Sequence, residues 1–166
     1  WSIGIHTGAQ QYNGELGNQF FNYFDNYNGI AGFSVGRYIS SHLDVNFDLN
    51  FGDIKFQDED AVKYTRYKYI TQQGNVHLNY NFLTEEVKFR PFVFAGIGMI
   101  RFKGEGKEET NLSLPSAGLG LVYSINEHVK VRYQNTLLLS NYDELDFSTG
   151  GGNDSYLQTT LGIYAT

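Results

Sequence analysis

Alternation of apolar and polar residues is the dominant pattern along the chain. In HLDVNFDLNF, residues 42–51, the odd positions are apolar and the even positions carry carboxylates and amides after His42. Successive side chains of a strand point to opposite faces, so this stretch predicts a strand with one apolar and one polar face. The apolar face points inward in a soluble barrel but meets lipid in a membrane barrel.

Similar stretches recur along the whole sequence and predict eight strands. In the fifth, FRPFVFAGIGMIRF, both parities are apolar, so the pattern does not indicate which side chains of that strand face inward. The predicted strands are residues 1–12, 29–40, 42–51, 74–82, 89–102, 115–125, 128–139 and 155–166.

The connections between these strands alternate in length. After the second, fourth and sixth strands they are tight: SSH, LTEEVK and NEH. After the others they are longer and polar, at residues 13–28, 52–66, 103–111 and 140–154. Alternate connections of an up-and-down meander lie at the same end, and outer-membrane barrels have short periplasmic turns and longer extracellular loops. A lipocalin-like soluble barrel also has eight strands, but nothing in its physics requires this alternation.

The two predicted faces support the membrane alternative. The polar parity consists mostly of Gly, Ser, Thr, amides and charged residues, which suits a polar lumen better than an apolar ligand-binding cavity. The other parity carries almost no charge, and a lysine or arginine facing lipid at mid-depth costs about 2–4 kcal/mol. Arg37 has the outward parity but lies beside a short turn, where it can reach the headgroups. We therefore predict an all-β, eight-stranded antiparallel up-and-down transmembrane β-barrel in the outer membrane.

Composition narrows the function classes. The 166 residues suit one domain, residues 1–166, and the 13 Tyr, 13 Phe and 19 Gly favour an all-β chain. The net charge of -6 argues against a nucleic-acid partner. The absence of cysteine excludes disulfides, thiolate metal sites and thiol nucleophiles.

Several stretches together resemble a known family. IGIHTGAQQYNGELGN, GFSVGRYISSHLDVNFDLNFG, RPFVFAGIGMIRF, LPSAGLGLVYSI and VKVRYQ are similar to the N-terminal outer-membrane barrel of the OmpA family, in the form common among Bacteroidota. The resemblance implies an outer-membrane barrel that anchors the envelope, often followed by a periplasmic domain that binds peptidoglycan. The chain ends Tyr164, Ala165, Thr166 without a terminal aromatic residue, so we expect such a domain to be missing here.

Charged residues on the polar parity predict a closed lumen. Strands three and seven lie on opposite walls of an eight-stranded barrel, which suggests that Asp48 pairs with Arg132 and Asp44 with Lys130 across the lumen. These pairs would plug the barrel, and the alternative is a gated ion path through the same charges. The predicted lumen network comprises His6, Asp44, Asp48, His77, Lys130, Arg132 and Gln134.

No motif indicates an enzyme. GxSxG and HExxH are absent, so we predict no catalytic residue, metal or cofactor. His6 and His77 are expected to be hydrogen-bonded lumen side chains, and the enzyme alternative requires one of them beside Ser and Asp at an open rim. GIG and GLG in strands five and six indicate close side-chain packing rather than a phosphate loop.

An aromatic cluster in the first long connection, residues 19–28, is a candidate partner contact. Phe20, Phe21, Tyr23, Phe24 and Tyr27 form it, and Tyr64, Tyr67 and Tyr69 raise the same question. The alternative is that these rings cover the barrel mouth or extend an aromatic girdle. The expected partners are outer-membrane lipid and lipopolysaccharide, peptidoglycan through a further domain, and a larger outer-membrane protein complex. Acidic clusters at 58–60 and 143–146 could hold divalent cations but are better explained as solvated charge.

Overall fold

Eight antiparallel strands close into one barrel in the order in which they occur along the chain, which confirms the predicted fold class. The computed structural model describes residues 1–13, 28–58, 65–104, 107–139 and 155–166. None of these residues forms a helix long and apolar enough to cross a membrane. The strands are β1 (Ser2–Asn13), β2 (Asn28–Tyr38), β3 (Leu43–Asp58), β4 (Thr65–Asn81), β5 (Phe89–Gly104), β6 (Lys107–Ser124), β7 (Val129–Leu139) and β8 (Ser155–Ala165).

The barrel closes between its first and last strands, and the connections alternate between its two ends. Ile5 of β1 pairs with Ile163 of β8, so the sheet has no free edge. Residues 39–42, 82–88 and 125–128 connect strands at one end, called the short-turn end below. Because the strand number is even, β1 begins and β8 ends at this end, where Ile3 pairs with Ala165.

The β3–β4 and β5–β6 hairpins are longer than the alternating lengths of the connections predict. Asp58 of β3 pairs with Thr65 of β4, and Gly104 of β5 pairs with Lys107 of β6. The prediction of long connections after strands three and five is therefore wrong, because only residues 59–64 and 105–106 remain between the strands. A strand spans the bilayer with about 9–11 residues. β3 has 16 residues and β6 has 18, so these hairpins extend past the lipid, where no apolar face is required.

The polar parity of the strands faces the barrel interior. Asn46, Asp48 and Asn50 of β3 are buried, whereas Phe47 and Phe51 between and beside them are 41% and 43% exposed. A soluble barrel would show the reverse arrangement. The chain therefore has an apolar outer surface and a polar core, as a barrel surrounded by lipid requires.

The structure also gives the facing of β5, which the sequence pattern does not. Its even positions point inward, so that Phe92, Phe94 and Ile100 are buried, while Val93 and Met99 are exposed on the outer surface. Phe92 and Phe94 form a small apolar cluster with Val122 of β6. The lumen is therefore less uniformly polar than predicted.

Candidate functional site

Asp48 is the centre of a buried hydrogen-bond cluster halfway along the lumen. Its Oδ1 accepts hydrogen bonds from Ser34 Oγ at 2.5 Å and Asn46 Nδ2 at 2.6 Å. Its Oδ2 lies 3.0 Å from Nδ1 of His77, and both residues are buried. Since a carboxylate only accepts, His77 Nδ1 donates this bond. Burying a carboxylate is costly unless donors surround it, and three donors do so here.

His77 joins this carboxylate to a serine. Its Nε2 lies 3.0 Å from Ser116 Oγ on β6, which gives the same connectivity as a Ser-His-Asp triad. The side chains are enclosed, however, with Ser116 only 5% exposed. The cavity beside Asp48 and His77 has a volume of about 10 Å³, which is room for about one water molecule. The array therefore lies in a closed part of the lumen and not at an open rim.

Ser34 links this cluster to the neighbouring walls. Its Oγ lies 3.1 Å from His6 Nδ1 and 3.1 Å from Tyr164 Oη, in addition to its bond to Asp48. His6 Nε2 in turn lies 2.5 Å from Asn50 Oδ1. One hydroxyl group thus connects side chains from β1, β2, β3 and β8.

A layer of amides crosses the lumen beyond this cluster, away from the short-turn end. Gln158 of β8 donates to Gln73 of β4 at 2.5 Å, and these strands are on opposite walls. Gln158 also donates to Gln10, which donates to Thr71, and Gln73 donates to Asn75. All five side chains are buried. The direct hydrogen bond between the opposite strands β4 and β8 is thus made by glutamines, which the charge pattern did not indicate.

Arg132 lies between the central cluster and the short-turn end. Its Nε donates to Gln134 at 3.0 Å and its Nη2 to Asn79 at 3.2 Å. The guanidinium carbon is 4.2 Å from the Phe92 ring centroid and 5.9 Å from that of Tyr164. Cations bind aromatic faces at such distances, so Arg132 is held by both hydrogen bonds and aromatic rings.

The predicted direct pairs of Asp48 with Arg132 and Asp44 with Lys130 are wrong. Asp44 accepts hydrogen bonds from the side-chain amides of Asn79 and Asn81. Arg132 therefore reaches Asp44 only through Asn79. Lys130 Nζ lies 3.2 Å from Glu85 Oε1 instead. Side chains on β3 itself and on the adjacent strands β2 and β4 are closer to the β3 carboxylates than the opposite wall is, so they donate the hydrogen bonds that these carboxylates accept.

The aromatic part of the lumen is what the sequence interpretation missed. Phe92 and Phe94 lie directly opposite Gly120 and Gly118 of β6. A Cβ at either glycine would overlap the facing ring. Glycines on one strand therefore provide the space for the rings of the next. GLG aligned against FVF is a sequence signal that could have fixed the facing of β5.

Several candidate residues lie outside the described part of the chain. Among them are all five aromatic residues of the 19–28 cluster, Phe20, Phe21, Tyr23, Phe24 and Tyr27. Tyr64, the side chains of Tyr67 and Tyr69, and most of both acidic clusters are also outside it. The partner contact assigned to residues 19–28 therefore stays a prediction.

Structural comparison identifies the class of barrel. The fold matches Neisserial surface protein A over 99% of this chain and 95% of that chain, with a TM-score of 0.67 and 12% identity. It matches the N-terminal β-barrel domain of Pseudomonas aeruginosa OprF over 99% and 96%, with a TM-score of 0.57 and 15% identity. The chain has the fold of the small outer-membrane β-barrels. No protein-family model and no curated protein sequence matches it.

An enzyme shares this outer-membrane barrel fold. The outer membrane enzyme PagL matches over 99% of this chain and 98% of that chain, with a TM-score of 0.50 and 15% identity. The fold is therefore compatible with both enzymes and non-enzymes. The arrangement of the chain's own side chains has to distinguish between them.

The outer surface agrees with the predicted outer-membrane location. Large apolar side chains are exposed around the barrel, including Ile5, Val76, Leu119 and Leu161 on four different strands. Arg37 lies at the short-turn end, with its guanidinium carbon 5.3 Å from the Trp1 ring centroid. The one cation expected on the outward parity of β2 thus lies near the barrel rim, where it can reach lipid headgroups.

Proposed function

We propose that this chain is a non-enzymatic structural barrel that anchors the cell envelope at the outer membrane. The observation that carries the proposal is the hydrogen bond between Gln158 and Gln73 across opposite walls. The Asp48 cluster fills the lumen next to it. The interior of an eight-stranded barrel is just wide enough for side chains to fill it. A filled lumen supplies rigid attachment to the membrane and no path for solutes.

The enclosed serine supports the non-enzymatic part of the proposal. Acyl transfer needs space for a carbonyl carbon within about 3 Å of the serine oxygen. Ser116 is buried, and the cavity beside its partners His77 and Asp48 holds about one water molecule. We expect no labelling of the folded protein by a fluorophosphonate probe. Labelling that is lost in Ser116→Ala would overturn this part.

We further propose that the full-length protein binds peptidoglycan through a domain that follows the barrel. β8 ends at the short-turn end, beside the start of β1. Short turns face the periplasm in outer-membrane barrels, so a domain that follows β8 would emerge on the side of the cell wall. Lipid and lipopolysaccharide would surround the apolar outer surface.

Loss of the protein from its host tests the anchoring role. An anchor between membrane and wall predicts increased shedding of outer-membrane vesicles in a deletion strain. The wild-type gene and a Ser116→Ala gene should both restore normal shedding, because anchoring does not require the hydroxyl group. Unchanged shedding on deletion would contradict anchoring, and restoration by the wild-type gene alone would point to an enzyme.

A second function, as a subunit of a larger outer-membrane complex, is favoured by a hollow on the lipid-facing surface. The hollow has a volume of about 790 Å³ and surrounds Gly74 of β4. Apolar side chains of the adjacent strands line it, among them Phe47 and Phe51 of β3 and Ile97 and Met99 of β5. Its shape and chemistry suit an apolar element of a partner in the membrane.

Photo-crosslinking in intact cells tests docking at this hollow. A crosslinking residue at Val76, on the wall of the hollow, should give one discrete heavier protein product. A matched crosslinker at Leu161, exposed on the opposite wall, should not. Equal products from both positions, or none from Val76, would contradict a specific partner there.

A further inference from the structure

A cavity opens at the short-turn end of the lumen, just below Arg132. It has a volume of about 350 Å³ and is called the vestibule here. Its charged lining includes Arg90, Lys130 and Arg132, together with Asp44, Glu85 and Glu127. The anchoring role does not use these side chains.

Arg90 is the unusual member of the lining. It is 5% exposed, and its Nε has no hydrogen-bond partner among the described residues. Its closest acidic contact is an ion pair of 3.7 Å between Nη1 and Glu85 Oε1. Arginine has five donors arranged to match two oxygens of a carboxylate or phosphate. A buried guanidinium with an unmatched donor can therefore take an oxyanion as a further hydrogen-bond partner.

One carboxylate oxygen contacts two cations at this site. Glu85 Oε1 is the acidic contact of Arg90 and also lies 3.2 Å from Lys130 Nζ. The side chain of Glu85 is 47% exposed, on the connection between β4 and β5. Exposed ion pairs are weak because water competes with both partners. Glu85 can therefore leave without moving a strand, and the two cations would remain together.

Among the described residues, the acidic side chain in contact with Arg90 and Lys130 is Glu85, and the other two of the lining, Asp44 and Glu127, lie elsewhere. Asp44 accepts hydrogen bonds from two asparagine amides, Asn79 and Asn81. Glu127 is exposed on the turn between β6 and β7. Arg132 is held by Gln134, Asn79 and the Phe92 ring, so it adds positive charge at the inner wall without needing a further partner.

We propose that the vestibule binds an oxyanion group, a phosphate or carboxylate, between Arg90 and Lys130, in exchange with the carboxylate of Glu85. The anion enters from the short-turn side and completes the hydrogen bonding of the Arg90 guanidinium. This binding is independent of the anchoring proposal. A soluble anion and a lipid headgroup offer the same chemistry, and competition with a short-chain phospholipid separates them.

Titration of inorganic phosphate into the barrel in a phosphate-free maltoside detergent tests the site. The readout is the ¹H–¹⁵N resonance of the Arg90 Nε–H group, assigned by its loss in Arg90→Lys. We expect a saturable shift in the wild-type barrel. Lys130→Gln should weaken binding strongly and provides a second variant if changes at Arg90 impair folding. Absence of a saturable shift in the folded wild-type barrel would overturn the proposal.

Glu85→Gln and Glu86→Gln form the decisive pair of variants. They lie next to each other on the same exposed turn and change the net charge equally. Removing the competing carboxylate should lower the apparent Kd about three- to tenfold in Glu85→Gln, as expected for a site freed from an internal occupant. Glu86→Gln should leave it unchanged. An equal gain in both variants would mean general charge attraction and would overturn the site.

Addition of a short-chain phosphatidylglycerol to the phosphate-bound barrel identifies the source of the oxyanion. Displacement of phosphate from Arg90 indicates that a headgroup reaches the site. Retention of phosphate indicates a soluble anion. Both results support the oxyanion site defined by the preceding titrations.

Discussion

The middle of the lumen and the vestibule contain the same kinds of side chain, but they differ in how completely the hydrogen-bonding groups of these side chains are paired. In the middle, the carboxylate of Asp48 has three donors, and the space beside it holds about one water molecule. In the vestibule, a single oxygen of Glu85 contacts two cations, and Arg90 Nε has no acceptor in the part of the chain that the structure describes. Complete hydrogen bonding without free space indicates a structural role, whereas incomplete hydrogen bonding beside an open cavity indicates binding.

The largest expected effect comes from filling the space that β6 leaves for the β5 rings. Gly120→Val would place a branched side chain where the Phe92 ring lies, and the backbone of Tyr133 blocks a retreat. We expect folding into vesicles to fail or stability to fall by more than about 4 kcal/mol. Heat-modified gel migration and urea unfolding measure this.

Gly74→Val is the matched control for that experiment. Its added side chain would project into the lipid-facing hollow, with Leu49 at ordinary contact distance. Folding should be normal. Equal failure of both variants would indicate that the strands do not tolerate valine generally, and that the facing of β5 is not the cause.

The second-largest effect is expected at the carboxylate of Asp48, and the carboxylate of Asp44 provides the comparison. Asp48→Asn places an amide against donors from Ser34, Asn46 and His77, so we expect a loss of about 3 kcal/mol. Asp44→Asn, at the half-buried vestibule wall, should cost about 1 kcal/mol. Urea unfolding followed by the fluorescence of Trp1, the single tryptophan, gives both values. Equal losses would remove the distinction between the two regions.

The third comparison uses two buried arginines. Arg132→Gln loses a bond to Asn79 and the contact with the Phe92 ring, and should cost about 2 kcal/mol. Arg90→Gln removes an Nε–H group that has no acceptor among the described residues and one weak ion pair with half-exposed Glu85, so its cost should stay below about 1 kcal/mol. A large loss in Arg90→Gln would show that this side chain is structural.

The smallest effect is expected at the exposed partner of these cations. Glu85→Gln removes two ion pairs of a half-exposed carboxylate, and stability should change by no more than about 0.5 kcal/mol. The same unfolding assay, repeated at high salt, measures it. A larger loss that disappears in salt would mean that Glu85 holds the turn in place and does not exchange with an anion.

The sequence predicts the barrel well because the two faces of most strands differ in chemistry. In β3, Asp48 belongs to the polar parity and Phe47 to the apolar parity. In lipid, only the arrangement with Asp48 inside the barrel and Phe47 outside is favourable. In β5, both parities are apolar, and the facing is set by Gly118 and Gly120 on the neighbouring strand. The facing of β5 is thus determined by residues of β6, so the periodicity of β5 alone does not predict it.

The sequence pattern indicates which residues line the lumen, but it does not indicate which contacts they make. His6, Asp48, His77, Arg132 and Gln134 are all buried in the lumen. Their partners depend on which side chains are diagonal neighbours on adjacent strands, as His77 is to Asp48. Strand number and register are needed to know this, and the residue pattern gives only the strand number.

Side chains close the lumen of this barrel. Single-channel recording in planar lipid bilayers with the folded protein tests this closure most directly. The hydrogen bond of Gln158 to Gln73 and the filled space around Asp48 predict no steady conductance above the bare membrane. A stable ohmic conductance that scales with the number of inserted barrels would contradict the closed lumen and restore the ion-path alternative.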